Sequence, residues 1–270
     1  MRKIIHASDI HFGKVDTRVI DALLDSFKSI RPDIVVISGD LTQRARIKEF
    51  EAAQNLLMRL HEARIRNLTI PGNHDIKPLY TPISRLRDPF GLYKKMLGPL
   101  TVEQYVDDEV AILGVNTVRA SRLKGGRIKK KDLMVAEEWF RNLPKDVTRI
   151  AVTHHPLDLP PEYPRRKLAK RAAKAVDALS KSSVDLYLSG HYHRSSALHT
   201  AHRYKKRPFA AVAVQAGTIS TRERGEKQSF NVIHIDKALI IVETFTLNAH
   251  NFERVASHRF EFAEGRWASA

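Results

Sequence analysis

The stretch Ile34-Val35-Val36-Ile37-Ser38-Gly39-Asp40-Leu41-Thr42 decides the fold. Four β-branched residues in succession are the pattern of a parallel strand covered on both faces, because a strand with one wet face alternates apolar and polar side chains. Ser38 and Gly39 let the backbone turn without a bulky side chain. Asp40 therefore projects from the carboxyl end of the sheet, where open α/β folds collect ligands. Alone, a Gly-Asp pair after a strand is more often a turn or a helix cap. Asp40 becomes a candidate for holding two cations, one per carboxylate oxygen, when the other strand ends are read beside it.

Four further stretches end in the same manner. Arg2-Lys3-Ile4-Ile5-His6-Ala7 leads to Ser8-Asp9-Ile10-His11, and Leu68-Thr69-Ile70-Pro71 leads to Gly72-Asn73-His74-Asp75. Ile150-Ala151-Val152-Thr153 ends in His154-His155-Pro156, and Val184-Asp185-Leu186-Tyr187-Leu188-Ser189 ends in Gly190-His191-Tyr192-His193. Six of the 13 histidines lie in these few positions, more than scatter would place there. Taken in order, D-x-H, G-D, G-N-H-D, H-H-P and G-H-x-H resemble the calcineurin-like metallophosphoesterase superfamily. The motifs run from Asp9 to His193, about seven tenths of the 270 residues.

Between the motifs, Val19, Ile20, Leu23, Leu24, Phe27 and Ile30 are spaced as a helix over 15–30, and Phe50, Ala53, Leu56, Leu57 and Leu60 as a helix over 47–63. Strand, helix, strand, helix, strand predicts a doubly wound unit, and its right-handed crossovers put the first three motifs on one edge. Residues 76–100, broken by proline and glycine and carrying Tyr80, Phe90, Tyr93 and Met96, read as a loop with short helices near the site. Residues 101–117 read as two strands about the turn Asp107-Asp108-Glu109. Basic residues concentrate at 119–131, 165–174 and 203–207. The first cluster reads as an exposed loop and the second as part of a helix running towards Ser180. No aromatic residues interleave the basic runs as base stacking would require. Four runs at 210–215, 229–236, 239–247 and 255–262 have strand character, with short connections suited to antiparallel pairing. The resemblance implies an α/β fold, a four-layer α-β-β-α sandwich of two mixed β-sheets flanked by helices, in a single domain over 1–270.

Hydrophobic residues at 43% and charged residues at 28% are ordinary for a soluble globular protein. No apolar run is long enough to span a bilayer, and the first strand begins at Arg2, so a cytoplasmic protein is expected. The absence of cysteine excludes disulfides and thiolate ligands, which leaves oxygen and nitrogen to build any metal site. A formal charge of +16 predicts attraction to polyanions or anionic surfaces, or serves solubility alone.

The resemblance implies a binuclear metal-dependent phosphoesterase. Carried over position by position, one divalent ion takes Asp9, His11, His193 and one oxygen of Asp40, and the second takes the other Asp40 oxygen, Asn73, His154 and His191. A hydroxide bridging the ions attacks phosphorus in line while His74 protonates the leaving group. Mn, Fe, Zn and Co all accept this set, and neither the metal pair nor the oligomeric state is fixed by it. His155 is left as an alternative ligand to His154, a substrate contact or a packed residue, and His6 as a core residue. Four metal charges less Asp9, Asp40 and the hydroxide leave about +1, matched to a diester monoanion.

The superfamily's protein serine/threonine phosphatases carry a second acid in G-D-x-x-D-R-G. Gln43 stands in that place here, and Asp75 is the substitute left to orient His74. G-D-L-T and G-N-H-D are more similar to the cyclic-nucleotide phosphodiesterase-like (class III) branch, so the expected substrate is a cyclic nucleotide or other diester. An Mre11-like DNA nuclease and a hydrolase of nucleotide-activated lipid phosphates are the rivals. For the latter, the basic loops would face a membrane. Nucleic acid is thus a partner the charge allows and the motifs do not favour. A non-catalytic scaffold would show lost ligands, and all seven are present together with His74.

Overall fold

In the computed structural model, which describes residues 1–77, 82–99, 103–122, 125–205, 209–222 and 224–270, the stretch around Asp40 forms the middle of a parallel trio. Strands β1 (Arg2–Ala7), β2 (Ile34–Ile37) and β3 (Asn67–Thr69) lie side by side, with Ile4 opposite Ile34 and Val35 opposite Asn67. Helices α1 (Thr17–Ile30) and α2 (Ile47–Glu62) cross between them. Asp16 accepts the Arg18 N–H at 2.9 Å, and Glu49 accepts the N–H groups of Arg44 and Arg46 at 2.7 and 3.3 Å. These carboxylates serve amides that a helix start leaves without partners.

The alternation of side chains along each strand decides the layers. Ile5, Val35 and Ile37 join Leu24, Phe27, Phe50 and Leu56 of the two helices in one core. Ile4, Ile34, Val36 and Leu68 join a second core with Ile112, Ile150, Leu188 and Val214, which belong to another sheet. Both crossover helices therefore occupy one face. The expected doubly wound arrangement does not hold, because the opposite face is taken by sheet-on-sheet packing.

After β3 come the short helices α3 (Pro82–Arg87) and α4 (Gly91–Leu97), as expected for that segment. Tyr80 and Leu100 from that reading lie outside the described residues, as do 123–124 and 206–207 of the basic runs. The second sheet comprises β4 (Gln104–Val106), β5 (Val110–Gly114), β6 (Thr148–Val152), β7 (Leu186–Ser189), β8 (Ser196–His199) and β9 (Val212–Gln215), in the order β4-β5-β6-β7-β9-β8. Its outer face carries the small Ala151 and Ala213, which share a core with Phe140 of α5 (Lys130–Arg141) and with Val176 and Leu179 of α6 (Ala172–Lys181). Strands β10 (Ser229–Asp236), β11 (Leu239–Asn248), β12 (Asn251–Ala263) and β13 (Arg266–Ser269) form an antiparallel meander beside β1. The first sheet thus reads β13-β12-β11-β10-β1-β2-β3, and the four layers are α-β-β-α.

Two expectations need correction. The run 210–215 does not pair with the meander: β9 lies parallel to β7 in the other sheet, with β8, unforeseen in the sequence, antiparallel at its far side. The basic stretch from Arg165 enters its α-helix only at Ala172. A 3-10 turn at Arg165–Lys167 gives way to extended Leu168, and the Lys170 N–H donates to the Gly126 carbonyl at 2.8 Å. That pairing commits the backbone elsewhere, and α6 starts only after left-handed Arg171. Among the described residues no helix is long and apolar enough to cross a membrane.

Candidate metal centre

The carboxyl ends of β1, β2, β3, β6 and β7 meet at one edge and are stitched together there. Asp9 N–H donates to Gly39 O and His11 N–H to Asp40 O, both at 3.0 Å, while Gly190 N–H donates to His154 O at 3.1 Å. Two bonds cross between the sheets: His191 N–H to Asp9 Oδ2 and His154 Nδ1–H to Ser38 O, each 2.8 Å. Gly190 sits so close that a Cβ there would overlap Ser8 Oγ and Asp9 Oδ2. Asp9, His11, Asp40, His191 and His193 all have positive φ, between 50° and 78°. Left-handed backbone at non-glycine residues costs roughly 1–2 kcal/mol each, a strain that concentrates at functional sites.

Every predicted site residue is brought to this edge. Asp9, His11 and His193 form one cluster, Asp9, Asp40 and His154 a second, His154, His155 and His191 a third, and His11, Asp40 and His74 a fourth. Asn73 Oδ1 lies 3.2 Å from His154 Nε2. The imidazoles are held in one sense: Nδ1 of His11, His74, His154 and His193 faces the carbonyl of Thr42, Gln43, Ser38 and Arg222 at 3.2, 2.7, 2.8 and 2.8 Å. A carbonyl only accepts, so each Nδ1 carries the proton and each Nε2 turns a lone pair inward, the orientation that metal-bound histidines take.

Those lone pairs meet other acceptors. His193 Nε2 is 3.1 Å from Asp9 Oδ1 and 3.2 Å from His11 Nε2, and His154 Nε2 is 3.4 Å from Asp40 Oδ2. Asp9 Oδ1 is buried without a hydrogen-bond donor. Acceptor against acceptor in a buried pocket is unfavourable until a proton or a metal cation stands between them. The donor set of carboxylate oxygen, amide oxygen and imidazole nitrogen fits divalent transition metals.

The acid-base balance tells the same story. Burial works to raise Asp9 and Asp40, yet the imidazoles of His11 and His193 beside Asp9, and the charge of His154 beside Asp40, hold both below the usual carboxylate range. Burial works to lower His154, but Asp40 and then Asp9 override it and push the ring up to about 9. His191, lowered to about 3 by burial and by the His154 charge, stays neutral.

Three sequence readings change in detail. Asp40 does not offer its two oxygens alike: Oδ1 accepts the His74 N–H at 2.8 Å, while Oδ2 faces both His11, at 3.7 Å, and His154. His155 differs from its neighbour. Thr117 Oγ1 accepts the His155 N–H at 3.2 Å and lies 2.9 Å from His155 Nδ1, while the buried Nε2 has no hydrogen-bond partner. Asp75 does not orient His74. It is spent on the N–H groups of Leu41, Thr42 and Gly72 and on the Thr42 hydroxyl, and is pushed up to about 6 by burial and the nearby Asp40. His6 is a core residue, lowered to about 3 by burial, 2.9 Å from Ser38 Oγ.

Arg222 was not anticipated. Its Nη1 lies 3.3 Å from Nε2 of both His11 and His74 and 3.4 Å from Gln43 Oε1. No motif marks it, since the turn between β9 and β10 delivers it from 29 residues beyond His193.

Comparison with known proteins agrees with the geometry. A "Mre11" DNA double-strand break repair protein of Methanococcus maripaludis is 35% identical over 109 residues, 36% of this chain and 28% of that protein. A "probable cyclic nucleotide phosphodiesterase" of Vesicomyosocius okutanii is 28% identical over 162 residues, 57% of this chain and 61% of that protein. The chain thus spans between about a quarter and three fifths of the length of these relatives. In fold it is similar to a dimetal phosphatase from Danio rerio, with a TM-score of 0.65 at 12% identity over 97% of this chain and 99% of that one. The model of the calcineurin-like phosphoesterases matches residues 2–195, which takes in every strand end just described, and the chain belongs to that family.

Proposed function

We propose that the chain is a binuclear metal-dependent phosphodiesterase, with one domain over 1–270 acting in the cytoplasm. The observation that carries this is the inward set of Nε2 lone pairs from His11, His154 and His193 against the buried carboxylates of Asp9 and Asp40. Asp9, His11, His193 and Asp40 would hold one cation, and Asp40, Asn73, His154 and His191 the other. Divalent Mn, Fe, Zn or Co bound there would polarise the phosphoryl group and make a coordinated water acidic.

Hydrolysis forms a bond from a water oxygen to phosphorus and breaks the bond to the leaving oxygen, which needs a proton. His74 is placed to give it: with Nδ1–H tied to the Gln43 carbonyl, a second proton on Nε2 points into the site. Arg222 approaches the same ring edge and would bind a non-bridging phosphate oxygen. It adds a positive charge that the ligand count from sequence omits, so charge balance alone no longer separates diester from monoester. The diester reading is supported by Gln43 in place of a second acid and by the similarity to a probable cyclic nucleotide phosphodiesterase.

The test is kcat/KM for a cyclic nucleotide, for bis(p-nitrophenyl) phosphate and for p-nitrophenyl phosphate with Mn²⁺ supplied. Diesters are expected to be cleaved faster. Faster monoester cleavage overturns the diesterase reading.

A further inference from the structure

Beside the metal centre the surface carries a basic groove of about 500 Å³ lined by Arg122, Arg165, Arg166, Lys170, Arg171 and Lys174. Two basic residues near it are neutralised, Arg119 by Asp132 at 2.9 Å and Arg203 by Asp158 at 2.8 Å. Among the described residues, none of the six groove residues has an ion-pair partner, and all but the partly covered Arg122 are exposed. Like charges gathered in a concavity repel, and a bound polyanion removes that cost.

One wall of the groove packs against the site. Gly126 on its wall is packed so tightly on His155 that a Cβ there would overlap the ring. On the other side, Tyr192, which stands between His191 and His193, donates its hydroxyl to the Lys167 carbonyl at 2.7 Å, and Lys167 Nζ sits 5.5 Å over its ring. Tyr163 lies 6.1 Å from Tyr192 and receives Arg194 Nη1 at 3.3 Å. Two half-buried aromatic rings thus alternate with Arg194 and Lys167 between the metal centre and the groove. Aromatic interleaving, absent along the sequence, is created in space by residues 29 apart.

We infer that this chain carries a docking track for single-stranded nucleic acid, running from the metal centre over Tyr192 and Tyr163 into the basic groove beside α6. Cations in a groove hold a phosphate backbone, and tyrosine faces stack bases without regard to sequence. The inference rests on the phosphodiesterase reading only for where the strand leads. Binding itself requires no metal.

The experiment is fluorescence anisotropy of a labelled oligothymidylate of about 20 nucleotides with metal-free protein in EDTA, from about 50 to 200 mM salt. Wild type should bind with a steep salt dependence. The variant carrying Arg165→Ala, Arg166→Ala, Lys170→Ala and Lys174→Ala should lose at least about tenfold in affinity, and its log–log salt slope should shrink by about three, four charges at about 0.7 each. Tyr163→Ala should weaken binding by about tenfold with the slope unchanged, the mark of stacking. Should the fourfold variant fail to fold by circular dichroism, the wild-type slope and Tyr163→Ala still decide. Equal affinity for wild type and variants overturns the track, as does variant-sensitive binding to phosphatidylserine vesicles with none to the oligonucleotide. A protein that binds the oligonucleotide but hydrolyses no diester with Mn²⁺ breaks the diesterase reading alone.

Discussion

Where the strands begin, charges have partners. Arg2 at the start of β1 lies 2.5 to 3.7 Å from Asp33, Asp107, Asp108 and Glu109, and the Met1 amino group is 2.9 Å from Glu109. Arg149, buried at the start of β6, donates to the carbonyls of Phe140, Leu143, Pro144 and Val147 and so closes the end of α5. Where the same strands end, carboxylates and imidazole lone pairs face one another, and five site residues have left-handed backbone. One edge pairs its charges within the protein, and the other gathers acceptors that a cation would satisfy. Stability is therefore drawn mainly from the first edge, and binding capacity is stored at the second.

The strongest test of that division is Asp40→Asn. An amide cannot neutralise two cations as a carboxylate does, so nearly all hydrolysis should vanish and metal analysis should find fewer than two ions per chain. Two tightly held ions with undiminished turnover would sink the assignment. His74→Ala touches the same edge without removing a ligand. Both metals should remain while turnover falls by about 10² to 10⁴-fold for a poor alcohol leaving group. For p-nitrophenol, which departs without a proton, the loss should be far smaller, and an equal loss for both leaving groups removes His74 from the role of acid.

The smallest effect belongs to the satisfied edge. Arg149→Met leaves several carbonyls at the end of α5 without their donor and should cost about 2–4 kcal/mol, read as a lower urea midpoint. Turnover per folded molecule should not change. If kcat falls in proportion to stability, the two edges are not separable as described.

How much of this was legible in the sequence obeys the same division. The five strand ends announced themselves, because a parallel strand buried on both faces is an unbroken apolar run, and the residues just after such a run must lie at one edge of the sheet. Within those ends, the resemblance to the calcineurin-like family singled out Asp9, His11, Asp40, Asn73, His154, His191 and His193, and the structure brings them together. The features that stayed hidden depend on contacts between segments that carry no local pattern. The partner of the His155 ring is Thr117, 38 positions away, and Arg222 reaches the site from a turn with no periodicity. The pairing of β9 with β7 was misjudged because a short apolar run states that it is a strand and not which neighbour it takes. The one-sided placement of α1 and α2 depends on a second sheet whose docking no single segment encodes.

The bonds from His191 N–H to Asp9 and from His154 to Ser38 join a loop of one sheet to a strand end of the other. Cations held by Asp9 and Asp40 on one side and by His154, His191 and His193 on the other would act as rivets through both layers. Prising the layers apart at this edge would then mean releasing the ions first. Amide hydrogens around Gly190, His191 and Asp9 should exchange with solvent far more slowly in loaded protein than in stripped protein, while those of the β11–β12 hairpin, at the far side of the first sheet, should exchange at the same rate in both.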